Sequence, residues 1–126
     1  MGLEKTKIKE FTDLKVWQVG HELAITIYFI TKKFPKEEMY LLVSQMRRCA
    51  ISITSNIAEG FGRKSYKEKV QFYYLAQGSL TELKNQILLA KEVGYLTTED
   101  FSKLLELANE THKILQGLIK SSKARI

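Results

Sequence analysis

Two sets of residues in this 126-residue chain have types and spacings that bear on chemistry. The first is a polar stripe made of Gln45, Arg48, Ser52, Ser55 or Asn56, and Glu59. Steps of three and four place these residues on one face of a helix. A later segment answers with Gln77, Gly78, Ser79 and Glu82, again small or polar. Glu59 and Glu82 are the carboxylate pair that an acid–base reaction would use, but no His, Cys or Ser beside them completes a base–nucleophile set. The expected chemistry is therefore hydrogen bonding, and the chain is expected not to be an enzyme. Two arrangements would satisfy the stripe: closure within the protein, with Arg48 paired to Glu59 or Glu82, or contact with a neighbouring subunit.

The second set is cationic. The chain carries 20 Lys and Arg against 14 Asp and Glu, a net charge of +6. Such a balance suits a polyanion partner if the charge is gathered in one place. Gly62-Arg63-Lys64-Ser65 has a faint likeness to a phosphate-binding loop, but that loop needs GxxxxGK[ST] after a strand, and a helix precedes this one. It reads as a helix stop, a basic turn and a cap. His21 and His112 stand far apart with no HExxH or paired-Cys context, so neither a metal site nor a cofactor is expected.

Four helical stripes must position these residues. Trp17, Gly20, Ala24, Ile27, Thr31 and Phe34 mark the first, with Thr12 or Asp13 expected as its cap. Pro35, Glu37 and Glu38 are expected to open the second, which buries Leu42, Met46, Cys49, Ile53 and Ile57 and ends on a left-handed Gly60. Ser65-Tyr66-Lys67-Glu68 has the form of a capping box for the third, whose stripe is Tyr73, Ala76, Leu80, Leu83, Ile87 and Ala90. Gly94-Tyr95 is expected to stop it. Thr97 or Thr98 then opens the fourth, with Phe101, Leu104, Ala108, Thr111, Leu115 and Leu118 facing inward. No alternating strand pattern or repeat is present. The fold class is all-α, an up-down-up-down antiparallel four-helix bundle. A basic flexible arm is expected over 1–11, the bundle over 12–120 and a basic tail over 121–126.

This topology gathers the charge. The arm, the turn between helices two and three, and the tail fall at one end, which holds Lys5, Lys7, Lys9, Lys15, Arg63, Lys64, Lys67, Lys69, Lys120, Lys123 and Arg125. Against these eleven stand five acids, whereas the opposite end is slightly negative. Tyr66 and Phe61 are the aromatics placed to stack on unpaired bases there. Binding of this kind is directed at the backbone and strongly dependent on salt. The chain has no apolar run near the ~18 residues that span a bilayer, its first residues, MGLEKTKIKEF, lack the apolar stretch of a signal peptide, and its lone Cys49 suits a reducing cytoplasm, so a cytoplasmic location is expected.

Several segments carry a family resemblance. They are Phe11-Thr12-Asp13-Leu14-x-Val16-Trp17, Phe34-Pro35-x-Glu37-Glu38-x-Tyr40-x-Leu42, Gln45-Met46-Arg47-Arg48, Ser52-Ile53-x-x-Asn56-Ile57-Ala58-Glu59-Gly60, Ala76-x-Gly78-Ser79-Leu80-x-Glu82-Leu83 and Gly94-Tyr95-Leu96. The chain resembles the four-helix-bundle proteins encoded by intervening sequences within bacterial 23S ribosomal RNA genes. The resemblance implies a bacterial protein, a ring-shaped homopentamer and no known enzymatic activity. The accessory protein of diversity-generating retroelements, a basic pentameric barrel that binds nucleic acid and a reverse transcriptase, is a more distant relative. In a cyclic ring the five basic ends would form one rim, and avidity on a single polyanion would follow. The expected function is non-enzymatic binding of RNA or single-stranded nucleic acid by that rim. The alternative is an oligomeric scaffold for an unidentified protein partner.

Overall fold

The computed structural model describes residues 7–126, which form four α-helices and no strand. They are α1 (Lys15–Thr31), α2 (Leu42–Gly62), α3 (Tyr66–Glu92) and α4 (Thr98–Lys123), with short 3₁₀ turns at Phe11–Asp13 and Lys36–Glu38. Each helix packs on two others: α1 and α3 both lie against α2 and α4. One apolar core runs between them, with Leu23, Ile27, Met46, Ile53, Ile57, Leu80, Leu83, Ile87, Leu104 and Leu115 fully enclosed. Burying each of these side chains contributes roughly 1.5–3 kcal/mol relative to exposure.

The three- and four-residue stripes account for most of this core. Gly20, Ala24, Ile27, Thr31 and Phe34 are buried, as are Met46, Cys49, Ile53 and Ile57, and so is the whole α3 stripe. Trp17, Leu42, Phe101 and Leu118 are partly buried and pack on its margin. Additional buried residues on α1, namely Val16, Val19, Leu23 and Ile30, widen its apolar face, because this helix meets two neighbours at once.

Pairings between successive helices run in opposite orders along the chain. Gly20 of α1 lies by Ile53 and Thr54 of α2, while Arg47 reaches back to Thr31 and to the carbonyl of Tyr28. Gly60 meets Tyr73, and Ser52 meets Ser79. Lys123 meets Tyr74, and His112 meets Lys84. Just beyond α1, Lys33 pairs with Asp100 in the first turn of α4 at 2.6 Å.

Three helix ends form as their residues direct. The Ser65 hydroxyl accepts the Glu68 N–H at 3.2 Å and donates to the Glu68 carboxylate. The Thr97 hydroxyl accepts the Asp100 N–H at 3.0 Å. Gly94 takes φ +86°, and the Tyr95 N–H closes back on the Ala90 carbonyl at 2.9 Å, a glycine stop.

Three other ends differ from expectation. Neither Thr12 nor Asp13 caps α1, whose N-cap position is Leu14; the Asp13 carboxylate turns back to accept the N–H groups of Lys9 and Glu10, both at 2.9 Å, and holds the preceding 3₁₀ turn. These hydrogen bonds keep its carboxyl below the ordinary range. Pro35 opens only the 3₁₀ turn, and α2 starts seven residues later at Leu42. Gly60 is not left-handed, and α2 continues to Gly62. Gly60 serves a close approach instead: a Cβ there would stand 2.7 Å from the Tyr73 ring.

Candidate nucleic-acid interface

Four helix ends meet at one pole. Leu14 before α1, Phe61 near the end of α2, Tyr66, Lys69 and Tyr73 early in α3, and Leu118 and Ser122 late in α4 line a shared recess of about 150 Å³. Arg125 donates to the Tyr66 hydroxyl at 3.4 Å and lies 5.4 Å from its ring centre, tying the C-terminal residues to the start of α3. Burial pushes the Tyr73 phenol up to about 12, so at neutral pH it stays protonated.

The cations expected at this pole have unequal surroundings. Lys69 folds back over the turn, donates to the Phe61 carbonyl at 2.5 Å and lies 3.4 Å from that of Gly60. It places positive charge at the C-terminus of α2, where carbonyls lack helical partners. Arg63 pairs with Glu59 at 2.9 Å, lies 3.8 Å from Glu68 and covers the Phe72 ring at 4.5 Å. Lys7, Lys9, Lys15, Lys64, Lys67 and Lys120 are exposed and form no ion pair among the described residues. Lys5 lies outside the described residues. Phe61 and Tyr66 are both half-buried, with Lys69 near each ring, at 5.4 and 5.9 Å.

Lys123 leads away from the turn and along the groove between α3 and α4. Lys123 donates to the Tyr74 hydroxyl at 3.3 Å. Farther along, Lys84 Nζ lies 2.8 Å from His112 Nδ1, and Gln77 Nε2 lies 3.5 Å from His112 Nε2. Burial lowers the pKa of His112, and the Lys84 charge lowers it further; burial also lowers that of Lys84. Neutral His112 accepts from Lys84 at Nδ1 and so carries its proton on Nε2; the Gln77 Nε2 beside it is also a donor, so these two atoms do not bond in this orientation of the amide. Tyr74, Lys84 and Gln116 are absent from the sequence-based candidates, and His112 enters there only as a metal ligand that is set aside. His112, Gln116, Lys120 and Lys123 recur at steps of four, four and three, and this polar stripe was the available signal.

The α2 stripe divides into an inner and an outer part. Ser52 and Ser79 hydroxyls meet at 2.8 Å between α2 and α3, and Asn56 donates to both the carbonyl and the hydroxyl of Ser52, at 2.9 and 3.1 Å. Gln45, Arg48, Glu59 and Glu82 are exposed. Arg48 pairs with neither expected carboxylate among the described residues. Glu59 is three helical turns away, roughly 16 Å along the axis, and is held by Arg63. Cys49 is buried beside this seam, and burial raises its thiol pKa, so it packs as a small apolar group. No group of three or more His, Cys, Asp and Glu side chains with metal-holding geometry occurs among the described residues. No described helix is long and apolar enough to cross a membrane.

Fold and surface together define an all-α, four-helix protein with cations converging on one pole. The model of the 23S rRNA-intervening sequence protein family matches residues 12–117, and the chain belongs to that family. Among solved structures, it is similar to a protein of unknown function from the S23 ribosomal protein family of Bacteroides thetaiotaomicron VPI-5482. The two share 24% identity with a TM-score of 0.77, over 83% of this chain and 95% of the other. No curated protein matches. The family name refers to a 23S rRNA intervening sequence, and neither name carries an enzymatic activity.

Proposed function

We propose that this chain is a non-enzymatic, cytoplasmic bacterial protein that assembles as a cyclic homopentamer and binds RNA or another single-stranded nucleic acid through its basic pole. The observation that carries this reading is the meeting of cations from three chain segments at one end, with Lys64, Lys67 and Lys120 exposed and unpaired among the described residues. The opposed pairing orders of successive helices support an up-down-up-down antiparallel bundle. Assembly is supported by two separate apolar patches: Ile25 and Phe29 on α1, and Leu89 and Val93 at the end of α3. These helices do not pack on each other, so the patches face different directions. A contact between unlike patches is head-to-tail, the kind that closes into rings.

Binding to a single-stranded RNA across a salt series, with particle mass measured in the same samples, tests the reading. A pentamer whose affinity falls steeply with salt is the expected result; a pentamer that binds nothing at low salt contradicts the basic-pole assignment. A second reading, an oligomeric scaffold for another protein, draws on a different place. Met39, Tyr40 and Leu41 stand out at the far end, with Tyr40 91% exposed. That reading predicts a protein partner recovered equally well after nuclease treatment.

A further inference from the structure

We infer that the groove between α3 and α4 is a subsite for one unpaired nucleotide, with its base on Tyr74 and its phosphate on Lys120 and Lys123. This inference rests on the nucleic-acid reading above and assigns part of the binding to a place outside the α2–α3 turn. The groove holds about 300 Å³ and is lined by Tyr74, Gln77, Gln116, Ile119, Lys120 and Lys123. That volume is at the lower end of small-ligand sites, the scale of a single base with its sugar.

The lining supplies what an unpaired nucleotide requires. Tyr74 is 45% exposed, so its ring is available for stacking, and Ile119 below it gives the groove an apolar floor. Stacking on an aromatic ring tolerates any base because every base has a π-face. Gln77 and Gln116 each offer an amide donor and an amide acceptor to a base edge, and Gln116 forms no side-chain hydrogen bond among the described residues. Lys120 and Lys123 bring positive charge to the groove, and no carboxylate lines it. Lys123 already bonds the Tyr74 hydroxyl at 3.3 Å, which links the phosphate-holding and base-holding groups. Lys84 and His112 continue the polar lining one step farther, giving a strand a direction to follow.

The α2–α3 turn lacks this combination. Its aromatics, Phe61 and Tyr66, are half-buried, whereas Tyr74 is exposed; a lysine lies 5.9 Å from the ring centre of both Tyr66 and Tyr74, so exposure of the ring is what separates the two places. It can attract a backbone electrostatically, whereas the groove can also hold a base.

The test compares a twelve-residue oligouridylate with an abasic oligomer of the same length and charge. The intact protein is expected to bind oligouridylate on the order of tenfold more tightly, the usual scale of one aromatic stack. Tyr74→Ala should abolish that preference while leaving abasic binding nearly unchanged, and Tyr74→Phe should restore it. Gln116→Glu, at an exposed position, provides a second probe and should weaken both oligomers by placing a negative charge beside the phosphate site. Circular dichroism and particle mass establish that each variant is folded and assembled. Equal affinity of the intact protein for the two oligomers, or a folded Tyr74→Ala variant that keeps the preference, would overturn the groove assignment while sparing the basic pole. Failure of the intact protein to bind either oligomer at low salt would overturn both.

Discussion

The α2–α3 turn and the α3–α4 groove carry similar charge, yet they use it differently. At the turn, Lys69 caps the end of α2 and Arg63 is held between two glutamates over Phe72. Along the groove, Lys120 is exposed and unpaired among the described residues, and exposed Lys123 meets the hydroxyl and ring of half-exposed Tyr74, with two amides beside them. A cation that satisfies its own backbone contributes to folding, while a cation with open solvent around it remains available to a partner. Counting lysines therefore overstates the turn and understates the groove.

The largest expected effect is on the turn's packing. Gly60→Ala would place a methyl group 2.7 Å from the Tyr73 ring and 3.0 Å from Phe72 Cβ. Overpacking of this kind costs about 1–3 kcal/mol, measurable by denaturant unfolding. A variant of unchanged stability would show that α2 and α3 can separate here at little cost. Next, Lys69→Ala should destabilise by about 1 kcal/mol as the carbonyl bonds and the favourable end charge are removed, whereas Lys64→Ala and Lys67→Ala should stay within ~0.5 kcal/mol. Equal effects at all three positions would erase the distinction between engaged and available cations.

The converse should hold for binding. Replacing Lys64, Lys67 and Lys120 together should flatten the dependence of RNA affinity on salt, by ~0.7 in logarithmic slope for each phosphate that is no longer neutralised. Lys69→Ala alone should leave that slope nearly unchanged. The smallest effect concerns pH. His112 has a folded-state pKa below its ordinary 6.5 because burial and Lys84 oppose its protonation. The unfolded chain therefore takes up this proton first, so the histidine's contribution is fully present above pH 6.5 and is lost as pH falls below it. Thermal midpoints should decline between pH 7 and pH 5, and His112→Gln should reduce that decline. An identical pH profile in the variant would remove His112 from the account.

What the sequence made legible follows from how local each cause is. Ser65, Thr97 and Gly94 act on backbone groups within a few residues, so their roles were readable in order along the chain. Gly60 resembled Gly94 as a letter, but the need for it comes from Tyr73 on another helix. Asp13 had two directions in which to cap, and the chain before it offered two N–H groups. Lys69 could not be told from Lys64 because its partner carbonyls lie eight and nine residues back, across a turn. The groove was harder still. Its two halves lie on different helices, and each half alone reads as an ordinary polar flank.

At the far end, one carboxylate joins two connections. Glu38 accepts the Tyr95 hydroxyl at 2.7 Å and lies 3.4 Å from the Leu42 N–H, while Phe34 packs on the Tyr95 ring and Lys33 grips Asp100. The α1–α2 and α3–α4 connections therefore cannot loosen independently: freeing either one releases the same glutamate. Amide protons at Leu42 and around Tyr95 should exchange with solvent as a single cooperative unit. Glu38→Gln, which weakens both attachments at once, should bring their exchange forward together.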